Sequence, residues 1–300
     1  MKSMEIHQLR YFVEVVQTGS FTRAAVRCSV TQPTLSHQIK KLEQALGEPL
    51  LTRSRKGAQT TAFGRSFFRR AITILGEVKA ASEDASAYQG ETRGELRIGV
   101  IPTIAPYLMP TVLGMARERL PQLTFDISED TTENLLVSMK EGRVELALLS
   151  LPVEGDEWVT EELAQDEILV ALPEKHRLAK KKGIQLSDLM SEPIILMKEA
   201  HCLRGQALAI CNNIGWSPEV FFQSAQIETL VSMVEAGFGV SFAPEIARQR
   251  LQGRKLALRS LAPAPVYRSI ALVHPRQAAQ TRAFRSFLEV CRAGLGKSSA

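Results

Sequence analysis

A long run of regularly spaced apolar residues divides the sequence into two unequal parts. Seven of them follow one another at steps of four and three: Phe67, Ala71, Ile74, Val78, Ala81, Ala85 and Tyr88. This heptad spacing is typical of a helix that packs on another helix. A helix from Thr61 to Tyr88 would be about 42 Å long. Because it is so long and its apolar stripe so narrow, the pattern favours a helix from a second copy of the chain as its cover.

Charge is distributed unevenly on the two sides of this helix. Residues 1–70 hold 12 Lys and Arg against 4 Asp and Glu, a net charge of +8 that leaves −3 for the remaining 230 residues. A basic head before a mildly acidic body indicates that the head binds a polyanion. No apolar run is long enough for a membrane span and the first residues are charged, so we expect no signal peptide, no membrane contact and a cytoplasmic protein.

The basic head carries the pattern of a helix-turn-helix. Apolar residues at helical spacing predict a first helix that ends at Gly19, and Ser20 can cap a second helix over Phe21–Arg27. Thr31 and Pro33 can start a third, amphipathic helix. In a helix-turn-helix, the second helix of the motif enters the major groove of DNA.

Polar side chains in this head are the candidate DNA contacts. Gln32, Thr34 and Ser36 are the candidates for base edges, and Lys40 and Lys41 for phosphates. For any one of them, the alternative is a solvated helix face. The stretch from Leu50 to Thr60 predicts a two-stranded wing with a basic tip. Its candidates for contact with the DNA backbone or minor groove are Arg53, Arg55 and Lys56.

The body alternates short β-rich runs with helical patterns. The runs are Leu96–Val100, Leu123–Ser128, Leu146–Leu149, Ile168–Leu172, Ile194–Met197, Val220–Phe222, Val240–Ala243 and Ile270–Val273. This alternation predicts a parallel-type α/β fold, in which ligands bind at strand ends and helix starts. Ile101-Pro102-Thr103 and Thr131-Thr132 follow the first two runs and are candidates for one cleft. No nucleotide-binding glycine loop, nucleophile elbow or metal-ligand cluster appears, so we expect neither a cofactor nor an enzyme.

Two of the four cysteines lie close together in a predicted helix. Cys202 and Cys211 are nine residues apart, which in a helix separates their Cα atoms by about 13 Å. A disulfide needs about 7 Å or less, so the pair can join only if the helix melts. The helix N-terminus with His201 and Arg204 nearby predicts a lowered pKa for the Cys202 thiol.

Other interpretations of these cysteines stay open. Cys202 and Cys211 can be small buried apolar residues, as we expect for Cys28 and Cys291. A zinc site that includes His201 lacks a fourth ligand and the usual spacing. Four scattered cysteines are too few for the disulfide scaffold of a secreted protein.

The head resembles the LysR-type transcriptional regulators over its whole length. The matching residues are Gln8-Leu9-Arg10-Tyr11-Phe12, Gly19-Ser20-Phe21, Ala24-Ala25, Thr31-Gln32-Pro33-Thr34-Leu35-Ser36, Ile39, Leu42-Glu43, Leu46-Gly47 and Leu50-Leu51-Thr52-Arg53. The resemblance implies an α/β protein overall, with a winged helix-turn-helix (1–60), a long dimerising linker helix (61–90), a hinge (91–94) and a two-lobed, periplasmic-binding-protein-like regulatory domain (95–300). Lobe I would comprise about 95–163 and 266–300, and lobe II about 164–265.

Within this family, the body is similar to the OxyR-type hydrogen-peroxide sensors. The matching residues are Gln89-Gly90-Glu91-Thr92, Ile101-Pro102-Thr103, Pro106-Tyr107-Leu108, Thr132, Leu135-Leu136, His201-Cys202-Leu203-Arg204, Gln206-Ala207, Cys211 and Glu228-Thr229-Leu230. This likeness implies a redox switch in which Cys202 is peroxidatic and Cys211 resolving. It implies a peroxide pocket of Thr103, Thr132, His201 and Arg268. Two positions depart from the pattern, since Ala200 stands where the family usually has glycine and Gly205 where it usually has aspartate.

The resemblance implies a transcription activator that binds promoter DNA, hydrogen peroxide and RNA polymerase as a homodimer or homotetramer. Peroxide would oxidise Cys202, and its disulfide with Cys211 would reshape the regulatory domain and alter DNA binding. One alternative is a LysR-type regulator gated by a small metabolite in the cleft between the lobes, with incidental cysteines. Another is a thiol peroxidase that also binds DNA, against which the dedicated head argues.

Overall fold

The basic head folds as a winged helix-turn-helix. The computed structural model describes residues 4–54, 57–87, 94–199, 201–278 and 281–296. The elements of the head are α1 (Ile6–Thr18), α2 (Phe21–Arg27), α3 (Gln32–Leu46), β1 (Leu51–Ser54) and β2 (Gly57–Thr60). Gly19 ends α1 with a φ of +63°, and the Ser20 and Thr31 side chains cap α2 and α3 by accepting backbone N–H bonds. The predicted bounds of α2 and the predicted wing are confirmed.

The linker helix α4 (Ala62–Ala87) is covered at its start by its own head. Phe67 and Ala71 are buried in one cluster with Phe12 of α1, whose ring centroid lies 5.7 Å from that of Phe67. The heptad interpretation is therefore wrong for these two residues, because α1 fills the place expected for a partner helix. Ala81 and Ala85 farther along are exposed, whereas Tyr88 and residues 89–93 lie outside the described residues.

The described part of the body contains ten strands in one connected sheet. They are β3 (Gly94–Val100), β4 (Leu123–Glu129), β5 (Leu146–Ser150), β6 (Trp158–Pro173), β7 (Gly183–Gln185), β8 (Ile194–Met197), β9 (Val220–Ser224), β10 (Val240–Pro244), β11 (Leu256–Ala262) and β12 (Tyr267–Pro275). The helices are α5 (Ala105–Arg119), α6 (Thr132–Lys140), α7 (Leu186–Leu189), α8 (Cys202–Asn212), α9 (Ile227–Glu235) and α10 (Arg282–Gly296). The strand order is β4-β3-β5-β12-β6-β10-β8-β9, with β11 paired to β6 and β7.

Two buried clusters divide this sheet into two lobes. The lobe I core surrounds β3, β5 and α10, and the lobe II core surrounds β8, β10 and α9. Strand β6 belongs to both, because residues 158–167 pair with β12 and residues 168–173 pair with β10 and β11. The change of partners follows Glu167, a few residues beyond the predicted crossover near Leu163. The first half of β6 alternates buried and exposed positions, so its sequence lacked the continuous apolar run that marked Ile168–Leu172.

Strands β7 and β11 were not predicted. Strand β7 is three residues long and pairs with β11, while β11 carries Arg259 and Ser260 among its apolar residues. Strand β7 has one strongly apolar residue, Ile184, and β11 has no β-branched or aromatic residue that would favour a strand. The helix patterns at Leu108–Arg119, Asn134–Glu141 and Glu228–Ala236 correspond to α5, α6 and α9 within three residues at each end.

The linker helix and the head both contact the body. Lys79 of α4 donates from Nζ to Glu145 Oε1 (2.7 Å) and to the carbonyl of Glu95 (2.7 Å). Gln17 of α1 donates from Nε2 to the carbonyl oxygen of Glu141, the residue that follows α6 (2.7 Å). These bonds join α1 and α4 to the lobe that contains α6.

The described residues contain neither a membrane-spanning helix nor a metal-binding cluster. None of their helices combines the length and the apolar character that a membrane crossing requires. No group of three or more His, Cys, Asp or Glu side chains among them is arranged to hold a metal ion.

The junction of head and linker predicts an unusual effect of Gly64→Ala. Alanine normally stabilises a helix by up to about 1 kcal/mol relative to glycine. A Cβ at Gly64 would instead overlap the backbone carbonyl oxygen of Leu50. We expect Gly64→Ala to lower the free energy of unfolding of the head by about 1–3 kcal/mol. Denaturant titration, followed by a spectroscopic signal of the head, measures this loss. Gly114→Ala in α5, where a Cβ meets nothing within 4 Å, is the matched control and should not destabilise. Equal effects of both substitutions would contradict this packing.

Candidate functional site

The two paired cysteines lie at opposite ends of α8 and in different cores. Cys202 is the first residue of α8 and packs, partly buried, against the lobe I core. Cys211 is fully buried in the lobe II core. Both are free thiols, and the unbroken helix between them keeps their Cα atoms about 13 Å apart. The helix must therefore unwind before the two sulfurs can meet.

The Cys202 thiol lies against a buried hydrogen-bonded group. Thr103, in the turn between β3 and α5, is close enough to the thiol to act on its pKa. Arg268 of β12 donates from Nη1 to Thr103 Oγ1 (2.9 Å) and from Nη2 to the carbonyl oxygen of Thr103 (3.1 Å). Its Nε donates to Asp166 Oδ2 of β6 (2.8 Å). One network beside the sulfur thus joins Thr103 after β3, Arg268 near the start of β12 and Asp166 within β6.

Electrostatics at this thiol differ from the expectation. Burial raises the pKa of Cys202, and the charge of Arg268 and the Thr103 hydrogen bond offset this only in part. Burial and the charge of Lys198 lower the pKa of His201, so its imidazole is neutral at pH 7 and adds no positive charge. Arg204 donates from Nη1 to the carbonyl oxygen of Met197 (3.2 Å). The predicted lowering of the Cys202 pKa is therefore wrong, because it neglected desolvation.

The environment of Cys211 disfavours the reactive thiolate form in this conformation. Burial raises the pKa of its thiol to about 11. Cys291 is also fully buried, with a pKa raised to about 12, and Cys28 packs beside a small cluster of the head. These environments suit slow or structural thiols, as the sequence predicted for all three.

His201 and Thr132 are the remaining members of the predicted pocket. His201 is the N-cap residue of α8 beside Cys202. Thr132 is the first residue of α6, and its buried Oγ1 has no hydrogen-bond partner within the described chain. A buried hydroxyl without a partner is costly unless a water or ligand satisfies it. The structure thus brings the bonded pair Thr103 and Arg268 close to Cys202, whereas the Thr132 hydroxyl has no partner among the described residues.

Two residues of this region were missed from the sequence. Asp166 pairs with Arg268, and Gln206 donates from Nε2 to Ser150 Oγ (2.8 Å) while its buried Oε1 has no partner among described residues. A cavity of about 410 Å³ lies beside α8 and is lined by Gln206, Tyr267 and Arg268, among others. Asp166 follows Gln165 and precedes Glu167, so its neighbourhood suggested solvent rather than burial.

The candidate DNA contacts lie on one helix and the wing. Thr34, Lys40 and Lys41 are exposed on α3, with Gln32 and Ser36 half-buried. Leu35, Ile39 and Leu42 bury the opposite face of α3. The Thr34 hydroxyl lies 2.8 Å from that of its cap residue Thr31. Arg53 is in β1, whereas Arg55 and Lys56 lie outside the described residues.

Comparisons with known proteins cover both parts of the chain. Residues 6–65 match the model "Bacterial regulatory helix-turn-helix protein, lysR family", and residues 89–296 match "LysR substrate binding domain". The DNA-binding transcriptional dual regulator OxyR of Escherichia coli K12 is 36% identical over 274 residues, which cover 90% of this chain and 89% of that protein.

Solved structures extend the likeness to the full chain. A full-length OxyR from Pseudomonas aeruginosa with a cysteine-to-aspartate substitution has a TM-score of 0.83 at 28% identity, covering 98% of this chain and 95% of that one. A hydrogen-peroxide-bound cysteine-to-serine variant of Corynebacterium glutamicum OxyR has a TM-score of 0.66 at 25% identity, covering 99% and 95%. The chain therefore belongs to the LysR family, and it is a DNA-binding transcription regulator rather than an enzyme.

Proposed function

We propose that this protein is a peroxide-responsive transcription activator switched by a disulfide between Cys202 and Cys211. The observation that carries the proposal is the contact of the Cys202 thiol with the buried Thr103–Arg268 pair, at the start of a helix whose far end holds Cys211. Relatives at 36% identity include proteins named "Hydrogen peroxide-inducible genes activator". A cytoplasmic protein would keep both thiols reduced until an oxidant arrives.

The first step is attack of the Cys202 thiolate on one oxygen of hydrogen peroxide. A sulfur–oxygen bond forms, the oxygen–oxygen bond breaks, and hydroxide leaves, which gives a sulfenic acid. Arg268 and the Thr103 hydroxyl are placed to stabilise negative charge at the sulfur and on the departing oxygen. Thr132 Oγ1, which lacks a partner, and neutral His201 would complete the peroxide pocket.

The second step joins the sulfurs. The Cys211 thiolate attacks the sulfur of the sulfenic acid, a disulfide forms, and hydroxide leaves. Because Cys202 packs on lobe I and Cys211 lies in the lobe II core, this bond withdraws at least one side chain from its core. Unwinding of α8 would thereby change how the two lobes pack, and that change would reach the DNA-binding heads.

Other parts of the proposal concern partners. Gln32, Thr34 and Ser36 would contact bases, and Lys40, Lys41, Arg53, Arg55 and Lys56 the DNA backbone. The face of α4 that exposes Ala81 and Ala85 would meet the same helix of a second chain in a dimer or tetramer. RNA polymerase would be contacted at the promoter.

Cys202→Ser tests the switch. The serine variant should bind operator DNA like the unaltered protein, because the hydrogen bonds and packing described for α8 lie within the regulatory domain. It should lose any peroxide-dependent change in the DNase footprint, since serine forms no sulfenic acid. Cys291→Ser, a change at a buried thiol in lobe I, is the control and should respond normally. A normal peroxide response of Cys202→Ser would contradict the proposal and favour a small organic effector in the cavity of about 410 Å³, detectable by thermal shift.

The pH dependence of Cys202 oxidation follows from its environment. Only the thiolate is nucleophilic, and burial raises the pKa of this thiol above its ordinary value of 9.0. The second-order rate of Cys202 oxidation should therefore rise about tenfold per pH unit from about pH 6 to 8, without a plateau below pH 9. Stopped-flow oxidation, corrected with the Cys202→Ser protein for other thiols, measures it. A plateau below pH 7 would mean that the thiol is ionised at neutral pH.

Gly205→Ala tests whether α8 must unwind. Gly205 is exposed within α8, and a Cβ there meets nothing within 4 Å, so alanine should stabilise the helix by about 1 kcal/mol. The reduced form gains this energy and the disulfide form does not, so the midpoint potential should rise by about 20 mV. Disulfide formation should slow about fivefold, with unchanged sulfenic acid formation. Gly114→Ala provides the same substitution in α5 and should leave the potential unchanged. Identical potentials for all three proteins would contradict unwinding.

A further inference from the structure

Asp166 is a buried carboxylate at the place where β6 changes from one lobe to the other. Its side chain is 4% exposed and that of its partner Arg268 is 0% exposed. Oδ2 accepts from Arg268 Nε (2.8 Å), and Oδ1 accepts from the backbone N–H of Ile246 (2.9 Å). We propose that Asp166 is a positioning residue for the thiol site. It fixes the Arg268 guanidinium so that the Thr103 hydroxyl donates a hydrogen bond to the sulfur of Cys202. The inference rests on the proposed peroxide function and deepens it.

The direction of the hydrogen bonds follows from what each group can do. A guanidinium donates and never accepts, so Thr103 Oγ1 must accept from Arg268 Nη1. The single hydroxyl proton of Thr103 is then free to point at the sulfur of Cys202, and such a bond would lower the pKa of that thiol. If the guanidinium rotated away, the hydroxyl would lose this constraint. The orientation of Arg268 therefore decides whether the sulfur receives a hydrogen bond.

Both oxygens of Asp166 are needed for this orientation. One holds Arg268 Nε, and the other holds Ile246 in the short helical turn Glu245–Ala247. Ile246 belongs to the lobe II connection after β10, yet its side chain packs against the lobe I core. The carboxylate thus fixes the guanidinium relative to both lobes. Asparagine has one acceptor oxygen, so Asp166→Asn leaves either Arg268 Nε or the Ile246 N–H facing an amide donor.

A positioning role differs measurably from a purely structural or purely electrostatic one. Reaction of Cys202 with peroxide needs oriented donors for the departing oxygen, whereas its alkylation by iodoacetamide does not. Both reactions depend equally on the thiolate fraction. A change in the thiol pKa therefore moves both rates by one factor, and only a change in orientation separates them.

The experiment measures both rates at Cys202 in the reduced full-length protein, by peptide mass spectrometry at one pH. For Asp166→Asn, we expect the peroxide rate to fall by about tenfold or more, and by at least about tenfold more than the iodoacetamide rate. An unchanged peroxide rate, or an equal change in both rates, would overturn the proposal. Glu161→Gln is the matched control on the same strand, where the carboxylate pairs with Arg292 at the surface, and both of its rates should equal those of the unaltered protein.

A second comparison covers the case in which Asp166→Asn alone does not fold. If Asp166 acts through Arg268, the peroxide rate of the Arg268→Gln protein should equal that of the Asp166→Asn, Arg268→Gln double variant, in which no unpaired charge is buried. A further fall in the double variant would overturn the proposal. Lack of peroxide reaction at Cys202 in the unaltered protein would instead refute the proposed function, so the two failures are distinguishable.

Discussion

The buried ion pair between Arg268 and Asp166 is the interaction on which the thiol site depends. Two charges removed from water are tolerated only when they are paired and their remaining donors and acceptors are satisfied. Here the satisfying groups are Thr103 of lobe I and the Ile246 N–H of the lobe II connection. The pair can therefore be complete only when both lobes are in place. Because Thr103 also lies beside the Cys202 thiol, correct assembly of the lobes and construction of the site are one event.

The position of α8 bears on how the proposed switch can have a stable reduced state. Leu203, Ala207 and Ile210 bury one face of the helix in lobe II, so unwinding exposes apolar surface. In the proposed switch, disulfide formation would offset that cost because an oxidant drives the new covalent bond. Gly205 lowers the cost on the exposed face, where alanine would strengthen the helix. The sequence thus limits the stability of the segment that has to change.

Features encoded by neighbouring residues were predicted well, and features that depend on distant contacts were not. The caps at Ser20 and Thr31, the wing and the helix that starts at Cys202 follow from local signals and were found. The Arg268–Thr103 contact joins residues 165 positions apart and entered only through resemblance to known sensors, while the burial of Asp166 was missed. Desolvation reversed the predicted pKa direction at Cys202, since a sequence does not reveal which atoms lose water.

A path from the proposed site to the head runs through α6, whose C-terminal end lies beside α1 and α4. Its first residue, Thr132, has the buried unpartnered hydroxyl, and the carbonyl of Glu141 beyond its last turn accepts from Gln17 of α1. The next residue, Gly142, has a φ of +67° and leaves little room beside Ile72 of the linker helix. Helix α6 has nine residues and is about 14 Å long. A helix of this length moves as a rigid body. A displacement of lobe I that moves α6 must therefore either carry α1 and α4 with it or break the bond to Gln17.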